Sequence, residues 1–355
     1  MNIFNFKKVI IIFTITLLLC ELVFRVIDGV PLLSIQNQIK RRIDLLAIHT
    51  ATAYDEKVGW ILKPNMKSRD KLGINTGEYG IRSNNAEGNV QISEGNILAV
   101  GDSFTAGSEV GDTESWPAHL EKLLKKPVYN AAAGGWGPDQ IVLRAEDLSE
   151  KIKPELIIIS FMDQLIPRAS YSVYGGGSKP YYTIQNEELI EHNIPVVPYS
   201  ELGSGANLNF FKAIFGYSSF VNKVITATPW SNRWWDPRVF KKNEVDEVLI
   251  SCLLLERIHK SSKPKNIKII FLLQYGGPTV EQFNEEPDFT KQLVNCIKSK
   301  TDIIIVDSWT KLKELQTTNK LNEFFVMQDK KMYGHMNSKG NQLMATLIND
   351  KMNNN

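Results

Sequence analysis

Four short apolar runs constrain this chain more than anything else in it: ILAV at 97–100, LIIISF at 156–161, the stretch 267–274 and DIIIV at 302–306. Each is the length of a strand, and each is apolar at successive positions, as in strands covered on both faces. Segments of helical spacing fill the intervals. Helices are expected at 116–124, where Trp116, Leu120, Leu123 and Leu124 share a face, and at 140–151, 245–259, 289–299 and 338–352, with a further strand opening at Val128. Apolar strands separated by helices mean βαβ crossovers and a parallel sheet. The expected core is a doubly wound α/β sandwich.

The alternation breaks between residues 165 and 242. There KPYYTIQNEELIEHNIPVV reads as a hairpin turning near Asn186, and the stretch 209–240 is aromatic-rich and helical in pattern. Insertions this long usually cap or line a site. The aromatics fit either a small core of their own or a surface lying against a membrane. The organisation expected is an N-terminal anchor at 1–30, a helical stalk and a strand-and-turn region at 31–95, half of the core at 96–164, the insertion at 165–242 and the second half at 243–355. A chain of 355 residues has room for this.

At the N-terminus, Lys7 and Lys8 precede an apolar run from Val9 to Phe24 that Arg25 closes. The run falls short of the roughly 20 residues a membrane span needs, and Ile27 and Val30 can extend it. An uncleaved signal anchor is the expectation. A cleaved signal is the alternative, but Ala51-Thr52-Ala53 lies too far downstream, and Leu19 before Cys20 does not suit a lipoprotein site. Lys7 and Lys8 favour a cytoplasmic N-terminus and an extracytoplasmic body, against the weight of Lys40, Arg41 and Arg42 on the other flank. Glu21 and Arg25 stand at the helical spacing of an ion pair.

With 43% hydrophobic residues, 23% charged residues and a net charge of +2, the chain has no basic excess to suggest nucleic acid. Three cysteines make no disulfide framework, so Cys252 and Cys296 are expected to be buried thiols, with one bridge between them as the alternative. No histidine pair stands at metal-ligand spacing, and neither a metal nor a cofactor is expected.

Ligands of open parallel sheets sit beyond the carboxyl ends of the strands. Ser103, in VGDSFTAGSEV, stands just past the first core strand. A serine there can be a nucleophile if a histidine takes its proton and donors hold the oxyanion; a plain turn with a helix cap is the simpler reading. Asp102 is expected to brace the turn. His119, His192 and His259 fall at surface or structural positions. Arg168, Lys179, Tyr181 and Tyr182 fit solvated loop residues, or contacts to an anionic or sugar-like substrate.

The stretch VGDSFTAGSEVGDTESWPAHLEKLL resembles the first sequence block of the SGNH or GDSL-type hydrolases, a family of flavodoxin-like α/β serine esterases and acyl-transfer enzymes. YNAAAGGWGPDQ resembles the second block, and GHMNSKGNQLMATLI the last. The likeness covers most of 97–163 and 267–350, and the flanks resemble stretches of membrane-anchored bacterial members. It implies Ser103 as nucleophile, His335 as general base, and the Gly135 and Ser103 amides as oxyanion donors. Two departures stand out. In SFMDQ, Ser160, Met162 and Asp163 replace the usual Gly-x-Asn-Asp, leaving Gln164 or Arg168 as substitute donors, and Asp163 without a defined role. Met332 and Tyr333 occupy the place of the usual aspartate before His335, so Asp329 or a backbone carbonyl would have to orient the imidazole. The resemblance thus implies a membrane-anchored enzyme acting on acyl esters of an envelope glycan or lipid. The departures leave open a non-catalytic relative that binds a glycan or a partner protein.

Overall fold

The computed structural model describes residues 3–27, 51–68, 73–174, 177–197, 218–228, 240–328 and 331–354. The expected stalk over 31–50, most of the aromatic stretch and Asp329 lie outside them. The chain divides into two compact units, one of residues 1–50, 175–177 and 199–241, the other of residues 51–174, 178–198 and 242–355.

The larger unit is built on a five-stranded sheet: β1 (Ile97–Val100), β2 (Val128–Asn130), β3 (Leu156–Met162), β4 (Lys268–Gln274) and β5 (Ile304–Asp307). The spatial order is β2-β1-β3-β4-β5, every pair parallel, with Ala99 opposite Ile158 and Ile158 opposite Ile270. This is the flavodoxin-like doubly wound order. Its direction of winding reverses between β1 and β3, the point at which sheets of this kind bind ligands beyond the strands' carboxyl ends. Ser103 follows one of those two strands and Asp163 the other.

Hydrophobic burial on both faces fixes the sheet. Ile157, Ile158 and Ile159 are fully buried in succession, each contributing about 1.5–3 kcal/mol relative to exposure. The expected helices form at Trp116–Leu124, Pro138–Ile152, Glu247–Ser262, Asp288–Lys300 and Ser338–Asn353. Local signals set their starts. The Ser115 hydroxyl accepts from Ala118 N, Asp246 from Leu249 N, and Asn337 from Lys339 N and Gly340 N, each satisfying an amide the first helical turn leaves free. Helices at Gly277–Gln282 and Trp309–Thr317 and a hairpin of Phe325–Gln328 with Lys331–Met336 were not expected. The insertion does contain the expected hairpin, Tyr181–Gln185 with Glu188–His192, turning on Asn186 and Glu187, both at positive φ, as a two-residue turn requires.

The expectation of free buried thiols is corrected. Cys252 and Cys296 are bridged, with Cα atoms 6.1 Å apart, because their two helices pack side by side. Replacing both by serine is expected to lower stability by about 2–4 kcal/mol, read from urea unfolding of the oxidised protein against the variant.

In the smaller unit, the helix Ile3–Ile27 contains a segment, Lys7–Ile27, of mean hydropathy 2.5. It is long and apolar enough to cross a membrane, a test that signal sequences also pass. The expected Glu21–Arg25 pair forms at 2.6 Å. Glu21 also accepts from Ser218 Oγ, Ser219 N and Phe220 N, so this carboxylate caps the helix Ser219–Thr226.

Candidate active site

The turn after β1 has no room for a side chain at its first position: a Cβ on Gly101 would stand 2.7 Å from Thr105 Cβ and 3.0 Å from Ser160 O. Asp102 then accepts from Phe104 N at 3.1 Å and caps the single helical turn Ser103–Ala106. Its other oxygen accepts from Arg168 Nη1 at 3.2 Å. Asp102 is therefore the brace expected of it. Ser103 is left half-buried at the carboxyl end of the sheet.

His335 arrives from the far end of the chain, on the Lys331–Met336 strand, just ahead of the Asn337 cap. Its Nε2 lies 2.9 Å from Ser103 Oγ, and its ring stands 5.1 Å from that of Phe104. A neutral imidazole accepting at Nε2 can take the hydroxyl proton. On the ring's other side, Glu109 Oε1 lies 3.5 Å from Nδ1. Sequence reading passed over Glu109. The available signal was Gly107, a left-handed turn (φ 71°) that folds the chain back beside the serine.

A buried arginine fixes that loop. The Arg82 guanidinium donates to Ala106 O, to Gly107 O at 2.6 Å and to Val110 O at 2.7 Å, and its Nε pairs with Asp112 at 3.0 Å. Gly107 N and Ser108 N both donate to Ser103 O.

The second loop comes alongside the serine. Asn130, ending β2, donates to Thr105 O at 3.0 Å, and a Cβ on Gly134 would stand 3.9 Å from Ser103 Cβ. Gly135 has φ +79°, a conformation that strains any side-chain-bearing residue. Trp60 Nε1 holds Gly134 O at 3.0 Å. The structure thus brings Ser103, His335 and the Gly134–Gly135 turn together.

It does not bring Asp163 to them. That carboxylate, 2% exposed, accepts from Gly276 N at 3.0 Å and Thr279 Oγ1 at 2.7 Å, tying the end of β3 to the turn after β4. Burial pushes its carboxyl above the ordinary value, and the Thr279 and Gly276 donors oppose this. Met162 is buried, its sulfur accepting from Gln164 N. The two substitute donors are engaged elsewhere: Gln164 Nε2 bonds Thr279, while Arg168 holds Asp102 and Trp136 O and lies over the Tyr174 ring. At the place of the usual aspartate, Met332 seats its thioether against Gly277, where a Cβ would stand 2.0 Å from Sδ.

The reading of Lys179 and Tyr182 as loop residues is corrected. Lys179 is fully buried, paired with Asp139, and it donates to Arg168 O, Tyr171 O and Pro180 O. Tyr182 is fully buried too, donating to Glu191 at 2.8 Å. Tyr181 stacks on His192, which meets Thr183; His259 meets Asp302 and His119 meets Ser338. These three histidines have structural partners.

No protein-family model and no curated protein matches the chain. Among solved structures, the chain is similar to a protein assigned to the G-D-S-L lipolytic family from Desulfitobacterium hafniense DCB-2, at 14% identity and a TM-score of 0.39, over 72% of this chain and 98% of that one. It is likewise similar to Axe2, an acetylxylan esterase from Geobacillus stearothermophilus, at 13% identity and a TM-score of 0.39, over 74% of this chain and 96% of that one. The doubly wound fold follows from the strand order itself.

Proposed function

We propose that this chain is an SGNH-type serine esterase or acyl-transfer enzyme, held at a membrane by its N-terminal helix. The observation that carries the reading is the 2.9 Å approach of Ser103 Oγ to His335 Nε2 at the sheet's switch point. In the proposed reaction Ser103 Oγ attacks the ester carbonyl carbon while its proton passes to His335 Nε2. The carbonyl oxygen becomes an oxyanion facing the Ser103 and Gly135 amides. Collapse breaks the ester C–O bond, and the leaving alcohol takes the proton from His335. Water, or an acceptor hydroxyl in the transfer reaction, then attacks the acyl-serine while His335 takes its proton. Collapse breaks the bond from the acyl carbon to Ser103 Oγ, which takes the proton back from His335 as the acid or new ester leaves.

With no asparagine at position 162, one customary donor is missing. Loss of a donor of that kind costs about 10²–10³ in rate, so slow turnover is part of the reading. The substrate class proposed is an acyl ester on an envelope glycan or lipid, supported by the apolar helix. An extracytoplasmic body is supported by Lys7 and Lys8, and by the Cys252–Cys296 bridge, which suits an oxidising compartment.

The test is labelling of the full chain in detergent with a fluorophosphonate probe, followed by peptide mass spectrometry. The expected adduct is on Ser103. A folded protein that stays unlabelled, or one labelled elsewhere, would remove the catalytic reading and leave a binding protein for a glycan or partner. Turnover of a short-chain aryl acetate then separates hydrolysis from mere reactivity.

A further inference from the structure

We infer that Glu109 is the positioning carboxylate of this site, so that nucleophile and acid are carried on one turn of the chain and only the base comes from elsewhere. The inference rests on the serine-hydrolase reading above.

For Nε2 to accept the serine proton, the imidazole must carry its own proton on Nδ1, and an acceptor there fixes that tautomer and steadies the cation that forms. Glu109 Oε1 stands 3.5 Å from Nδ1. That is ion-pair range, and slack of this size is common in sites without substrate. The Glu109 side chain is 36% exposed, so rotation about its own bonds can close the gap without moving the backbone.

The backbone is held as if for this purpose. Gly107 turns in the left-handed region, and a Cβ there would stand 2.8 Å from Ser115 Cβ and 2.9 Å from Arg82 Nη1. Only glycine fits, and the turn aims the next residues back at the histidine. Arg82 collects three carbonyls of the same loop, at Ala106, Gly107 and Val110, and is itself neutralised by Asp112. Val110, immediately after Glu109, is 3% exposed, which pins the loop's far side. Met332, three residues ahead of His335, is apolar and packs against Gly277, so it supplies no carboxylate to the ring.

The test compares the full chain with E109Q, E109D and D329N in detergent. For E109Q we expect kcat on an aryl acetate to fall about 10–10³-fold with KM changed less than about threefold, an unchanged melting temperature and slower fluorophosphonate labelling. E109D should restore part of the loss. In protein labelled with ¹⁵N-histidine, the low-field Nδ1 proton resonance of His335 should be present in wild type and lost or shifted upfield in E109Q. A larger kcat loss in D329N than in E109Q, or an Nδ1 resonance that E109Q leaves in place, overturns the inference while the serine-hydrolase reading stands. A wild type that is never labelled defeats that reading instead, and the Nδ1 resonance still reports on the contact.

Discussion

With His335 replaced by alanine, hydrolysis of a short-chain aryl acetate is expected to slow by about 10²–10⁴-fold, the range a positioned general base contributes. The fold should survive. The His335 side chain is 23% exposed, and its described contacts are the Ser103 hydroxyl, the Phe104 ring and Glu109. Truncating a side chain this exposed should cost about 1 kcal/mol. KM should barely move, because the imidazole does its work on the proton in flight rather than on the bound ester, so kcat and kcat/KM fall together. Fluorophosphonate labelling should slow in parallel, since the same deprotonated Ser103 attacks phosphorus. Labelling at the wild-type rate in a folded H335A protein would show that the 2.9 Å contact is a structural hydrogen bond and not a base poised on its nucleophile.

The sheet was legible because strands buried on both faces leave runs such as LIIISF that no solvent-facing segment would tolerate. The place of Ser103 was legible for a related reason, since the chemistry of such a sheet gathers at strand ends. The approach of His335 to it was signalled by the resemblance of the last block alone, because that residue lies on the Lys331–Met336 strand outside the parallel sheet. What escaped was decided by packing rather than by local pattern. Glu109 sits in a polar turn and looks like any exposed glutamate until Gly107 and Arg82 fix where that turn points. Lys179 stands among polar neighbours, and only the tertiary structure makes its surroundings dry. Cys252 and Cys296 lie on separate helices, and sequence spacing says nothing about two helices meeting. Asp163 held the opposite lesson. A motif position can keep its residue while that residue's bonds go to Gly276 and Thr279.

The most damaging single change outside the reacting groups should be Lys179→Met, at a cost of about 3–5 kcal/mol. Lys179 and Asp139 are both fully buried and form one ion pair. Removing the ammonium leaves the carboxylate in a dry site with the Gln140 amide, at 2.7 Å, and its own backbone amide as donors, and an isolated buried charge is far costlier than a buried pair. Methionine keeps the volume of the stem, so a cavity does not explain the loss. Adding Asp139→Leu should recover part of it, because the unpaired charge goes. Recovery should stop short of wild type, because the Lys179 hydrogen bonds to the Arg168, Tyr171 and Pro180 carbonyls are still lost, and a hydrogen bond of this kind contributes about 0.5–1.5 kcal/mol net. Urea unfolding of the two single variants and the double variant gives the coupling directly. If the single losses simply add, the pair is not energetically coupled and this reading is wrong. The same chain of contacts reaches the site: Lys179 bonds the Arg168 carbonyl, and the Arg168 guanidinium holds Asp102 beside Ser103. K179M that remains folded should therefore also label more slowly at Ser103, whereas a purely local defect would leave the labelling rate unchanged.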